Sequence, residues 1–187
     1  HTSPSFTNAD INIEPAWDII PSGGNKFIKC GVFDTGIDWD HEDFGYDGSN
    51  LASSKVIKGW DFTNYTDAKT TTVADSEGHG THCAGIIGAI RNNTKGVAGI
   101  AGGNYSNSPD YSDQGVSLYS LKIIPWANMP RPMNAIYDAI VSSAIDNPLK
   151  SYNYGLHLSS NSWKFDETND SFSVDIGKWW YSDTNIF

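Results

Sequence analysis

Positive charge is scarce in this chain. Of 187 residues, 12 are Lys or Arg and 22 are Asp or Glu, a formal net charge of −10. A surface of that sign repels phosphate backbones and anionic lipid, so neither nucleic acid nor a membrane is expected as a partner. Long apolar runs are missing as well. Nothing approaches the roughly 20 residues that a membrane-spanning helix needs, and no signal peptide is visible. Cysteine is limited to Cys30 and Cys83. Two are too few for a disulfide-dense scaffold, and we read them as separate buried thiols. His1 stands where a Met would start a chain, which suggests processing of a precursor or a trimmed chain.

What remains is an ordinary globular balance, 39% hydrophobic and 18% charged. It suits one domain with a sizeable core and lacks the low hydrophobicity of disordered chains. Glycosylation sequons at Asn64, Asn92, Asn104 and Asn169 fit a secreted protein, but such triplets also arise by chance in a polar, Asn-rich sequence.

Residues 1–25 read as a polar surface arm with one apolar patch around Trp17. Residues 27–33 (FIKCGVF) form a short apolar run ending at Asp34-Thr35-Gly36, the pattern of a buried strand followed by a turn. Residues 55–62, 116–124 and 156–163 are further strand candidates. Residues 63–78 read as a polar loop. The glycine-rich stretch from His79 (HGTHCAGIIGAI) predicts a helix that needs a flat sheet to pack against. Pro132 with Met133, Ile136, Tyr137, Ile140 and Ala144 predicts another helix. Strands alternating with helices imply an α/β fold with a mostly parallel sheet, whose ligand sites gather at the carboxyl ends of strands.

Two clusters carry chemistry. Asp34 ends an apolar strand, where a carboxylate is costly unless it is hydrogen-bonded or paired. Taken alone, Asp-Thr-Gly also occurs in aspartic proteases, and a turn-capping role accounts for it equally. His79 opens the second cluster, Gly78-His79-Gly80-Thr81-His82-Cys83-Ala84-Gly85. A histidine there can act as a general base if a nucleophile and an orienting carboxylate lie within reach. The bland alternative is a satisfied surface or core imidazole.

Taken together, in this order, Asp34-Thr35-Gly36-Ile37-Asp38 and His79-Gly80-Thr81-His82-Cys83-Ala84-Gly85 resemble the subtilisin-like serine proteases, the subtilase or peptidase S8 family. Asp38, His41 and Asp43 are similar to the family's D-x-x-H-x-D. Residues 93–101 look like its G-V-A-G-V-A segment, and residues 118–123 look like its L-Y-x-V-K-V strand. The resemblance implies the three-layer subtilisin-like α/β fold, here its N-terminal part. It implies that Asp34 orients His79 and that His79 is the general base. It gives His82 a packing or hydrogen-bonding role and places the Cys83 thiol beneath the catalytic histidine. It makes Ser162 and Trp163 an edge strand that binds substrate backbone, with Lys164 where a glycine is usual. Trp126 becomes a wall of the substrate pockets, although core packing explains it as well. It also implies a structural calcium held by Asp43 with Asn92 or Asn93.

The family's serine lies in a G-T-S-M-A-type motif and its oxyanion asparagine in an A-G-N motif. Neither occurs in residues 1–187. The expectation is therefore a secreted serine endopeptidase of protein or peptide substrates, completed by a second polypeptide segment. The alternative is a non-catalytic fragment or pseudoenzyme acting as a protein-binding module.

Overall fold

The computed structural model describes residues 11–49, 53–63, 75–105, 115–124, 139 and 154–163. Four strands, β1 (Lys29–Asp34), β2 (Val56–Asp61), β3 (Ser117–Lys122) and β4 (Leu158–Ser160), form one sheet in the order β2-β3-β1-β4. Every pairing is parallel. This is the α/β sheet that the sequence predicts.

β1 starts two residues later than the apolar run. Phe27 and Ile28 lie exposed before it, and the backbone N–H of Ile28 closes a turn on Asn25. β1 is buried from Cys30 to Asp34 and occupies the middle of the sheet. Such central parallel strands are covered on both faces, which is why the run is continuously apolar. β4 is only three residues of the expected eight.

Alternation along the strands sends side chains to two cores. Cys30, Val32 and Leu118 pack with Val56, Ala84 and Ala89 on the face that carries α2 (His79–Gly88). Phe33 and Leu121 pack with Trp60, Phe62, Ile123 and Ala139 on the other. Fully burying one such aliphatic or aromatic side chain contributes about 1.5–3 kcal/mol. Except for Ala139, the helix predicted from Pro132 lies outside the described residues, as does Trp126.

The N-terminal arm holds a six-residue helix, α1 (Glu14–Ile19), which the sequence reading did not anticipate. Its apolar patch does not pack as a unit, since Ile19 and Ile20 are exposed. Trp17 alone docks. Its indole N–H donates to the Ile100 carbonyl at 2.8 Å, and the Arg91 guanidinium sits 4.1 Å from its ring centre. Arg91 also donates to the carbonyls of Pro21 and Gly103, tying the arm to the body.

Candidate active site

The carboxyl end of β1 and the start of α2 meet at one point. Asp34 is 1% exposed, whereas the His79 side chain is 53% exposed. Nδ1 of His79 lies 2.7 Å from Oδ1 of Asp34. An ionised carboxylate can only accept, so Nδ1 carries the proton and Nε2 keeps its lone pair. Asp34 Oδ1 also accepts from the backbone N–H of Thr35 at 2.7 Å. Its Oδ2 is buried without a hydrogen-bond partner among the described residues. Both bonds to the carboxylate, from Thr35 and His79, fall on the same oxygen. The hydrogen bond to Asp34 raises the pKa of His79 above its ordinary value. Burial opposes this, and the negative charges of Asp34, Asp75 and Glu77 add to it.

The close approach of α2 to the turn after β1 depends on a glycine. A Cβ on Gly80 would overlap the Gly36 carbonyl oxygen and meet the Asp34 side chain at 3.0 Å. Gly36 itself turns with φ 115°, a left-handed backbone that favours glycine. The first turn of α2 is capped from outside the helix. Gly80 N–H donates to the Thr35 hydroxyl at 3.0 Å, and Thr81 N–H donates to Asp75 at 2.9 Å. Among the described residues Asp75 accepts five hydrogen bonds, from Thr35, Glu77, Gly78 and twice from Thr81. It lies at the end of a polar stretch, and the sequence reading passed over it. The signal was an acidic residue four positions before His79, too common a pattern to stand out.

His82 is exposed rather than packed. Both cysteines are free. Cys30 is buried, and burial pushes its thiol up to about 11. Cys83, expected to be buried, is only half-buried. It lies one turn along α2 from His79, so it shares the partly open side of the helix. Its Sγ lies within 4.8 Å of ligand-type atoms of Asp34 and His79.

Ser162 is exposed, and Trp163 is half-buried against the Phe33 cluster. Val32 pairs with Ser160. β4 ends there, so Ser162 and Trp163 follow the strand rather than continue it.

Asp43 is buried in a short 3₁₀ turn, 4% exposed. Its Oδ1 accepts from the Asn93 side-chain amide at 2.9 Å and its Oδ2 from Val97 N–H at 2.7 Å. The loop closing on it carries positive φ at Asn92, Thr94 and Gly96. A Cβ on Gly96 would overlap the Asp43 carboxylate. Calcium takes oxygen ligands, but in this arrangement both Asp43 oxygens accept from N–H groups and Asn93 Oδ1 accepts from Lys95 N–H at 3.0 Å, so an ion here would have to replace these donors. The Asn92 side-chain NH2 donates to Asn104 Oδ1 at 2.8 Å.

The site is an Asp–His pair set where the central strand of a parallel sheet meets the start of a helix. Comparison with known proteins gives the family. The Subtilase family (peptidase S8) matches residues 25–183, and the chain belongs to it. Thermitase from Thermoactinomyces vulgaris is 38% identical over 100 residues, covering 54% of this chain and 30% of thermitase. An extracellular protease from Xanthomonas campestris pv. campestris is 39% identical over 114 residues, 52% of this chain and 19% of the relative. A calcium-dependent protease from Trichormus variabilis is 36% identical over 96 residues, 51% of this chain and 12% of the relative. Intracellular serine proteases occur among the relatives too. The matched stretch thus spans less than a third of each of these relatives. No helix among the described residues is long and apolar enough to cross a membrane.

Proposed function

We propose that this chain is the acid–base portion of a secreted serine endopeptidase acting on protein or peptide substrates. The observation that carries the reading is the 2.7 Å bond between buried Asp34 and exposed His79. In the proposed cycle, His79 Nε2 takes the proton from a serine hydroxyl as that oxygen attacks the peptide carbonyl. Asp34 stabilises the resulting imidazolium, and the proton passes to the departing amine. Water then hydrolyses the acyl-enzyme with His79 again as the base. The serine and the oxyanion donor come from a second polypeptide segment, since neither motif occurs in residues 1–187. Substrate backbone pairs alongside Ser162 and Trp163, with Trp126 as the opposite wall.

A serine-directed phosphonate probe tests this on the protein carrying both segments. It should label a serine outside residues 1–187, and Asp34→Asn should reduce peptide turnover by about 10⁴, as in other Ser-His-Asp enzymes. A folded protein that the probe leaves unlabelled is a binding module instead.

Calcium is proposed as a structural ion at Asp43 with Asn92 or Asn93, whose oxygens would have to exchange their present N–H donors for the ion. The Trichormus relative's name supports this reading. A site filled at about 100 times its Kd contributes about 2.7 kcal/mol. Excess chelator should therefore lower the thermal midpoint, and an unchanged midpoint removes calcium from the account.

A further inference from the structure

Asp75 has more hydrogen-bond partners than a helix cap requires. Oδ1 accepts from the Thr35 hydroxyl at 2.8 Å, Glu77 N–H at 3.0 Å and Gly78 N–H at 2.9 Å. Oδ2 accepts from Thr81 N–H at 2.9 Å and from the Thr81 hydroxyl at 2.7 Å. Each threonine oxygen then accepts a backbone N–H from the opposite element. Thr35 Oγ1 takes Gly80 N–H of α2 at 3.0 Å, and Thr81 Oγ1 takes Asp38 N–H at 2.9 Å, four residues past Asp34. The network is a double cross-link between the two pieces of chain that hold Asp34 and His79.

We propose that Asp75 is a positioning residue for the Asp34–His79 pair, its carboxylate fixing the register between the turn after β1 and the first turn of α2. This rests on the protease reading only in so far as the pair performs that chemistry. The geometry requires an acceptor at all five contacts, and only a carboxylate provides that. An amide at position 75 would turn its NH2 toward N–H or O–H donors on one side. Electrostatics point the same way. The positive end of α2 beside His79 disfavours an imidazolium. Among the described residues the groups near His79 are Asp34 from β1, Asp75 and Glu77 from the segment before α2, and Cys83 from α2 itself. Burial pushes the Asp75 carboxyl up, but the hydrogen bonds from Thr81, Thr35 and Glu77 outweigh it and hold it below the usual range. Asp75 therefore stays ionised across the range in which His79 titrates.

The test uses Asp75→Asn in the protein that carries its serine. The His79 pKa, read by NMR of the ring nitrogens, should fall, because a neighbouring negative charge is gone. The acid limb of the kcat/KM profile should move to lower pH with it. kcat should fall about 10- to 100-fold with KM little changed, as expected when reacting groups are misplaced by a fraction of an ångström to an ångström. Asp75→Glu, which keeps the charge, should restore the pH position. An Asp75→Asn protein that melts earlier, yet titrates and turns over like the wild type, makes Asp75 a cap and nothing more, and overturns the proposal. If Asp75→Asn does not fold, Thr81→Val decides. It keeps the charge and removes one cross-link, so kcat should fall while the His79 pKa stays in place, and wild-type turnover there overturns the proposal. If the wild-type protein cleaves no peptide, the His79 titration still judges Asp75, and only the protease reading falls.

Discussion

At the scale of single residues, burial and pairing decide which charges do chemistry. Asp34 is buried and bonded to an exposed imidazole, so its charge is directed at one partner. Asp38 is held differently. Its hydrogen bond with Asp40, helped by burial and the Asp40 charge, raises its carboxyl to about 6. Lys55 is a third case. Its ammonium is buried and donates to the Gly102 carbonyl, and burial lowers its pKa from 10.5 to about 7. Between those values the folded protein holds fewer protons at this site than the unfolded chain does. Lys55 therefore makes stability rise as pH increases from about 7 towards 10.5, because deprotonation relieves a buried charge. Denaturant unfolding across that range should show the rise in the wild type, and Lys55→Met should flatten it. Equal slopes in the two proteins would show that Lys55 is solvated in the folded state.

At the scale of elements, α2 is a poor helix by propensity, and packing holds it in place. Gly80, Gly85 and Gly88 lie in it, each costing about 1 kcal/mol relative to alanine. Gly88 lies against Leu118, and Gly80 lies against the Gly36 carbonyl. The weakness along the helix is therefore the condition for its closeness to the sheet. Gly80→Ala would improve propensity and still destabilise the fold, by about 1–3 kcal/mol for an overpacked contact. It should also weaken the Asp34–His79 bond, seen as loss of the downfield Nδ1 proton resonance of His79. A variant more stable than the wild type would mean that this contact relaxes freely.

At the scale of the whole molecule, the outer edge of the sheet and the missing nucleophile raise the same question. Among the described residues β4 is a short strand at the end of the sheet, paired to β1 alone. A strand with a row of unpaired N–H and C=O groups tends to acquire a partner strand. The second segment proposed to bring the serine would also cover that edge. Native mass spectrometry should find this chain bound to a further polypeptide, or continuous with one, and denaturing mass should separate the two cases. A native particle of this chain alone, folded and monomeric, contradicts the two-segment reading.

Local information in the sequence was enough to identify the parallel sheet, the strand ending in Asp34 and the helix starting at His79. A continuous apolar run, a turn tripeptide and a glycine-rich motif are written in consecutive residues, and each reflects one strand, one turn or one helix. Tertiary structure decided what depends on distant residues. Asp75 matters because Thr35, 40 positions away, bonds to it. Asn92 turned to Asn104, and Asn93 turned to Asp43 across 50 positions. Trp17 became an anchor only through Ile100 and Arg91, and Lys55 became a buried base only because Gly102 lies over it. A side chain's hydrogen-bond partners and its access to water are properties of the packed chain, and no short window of sequence contains them.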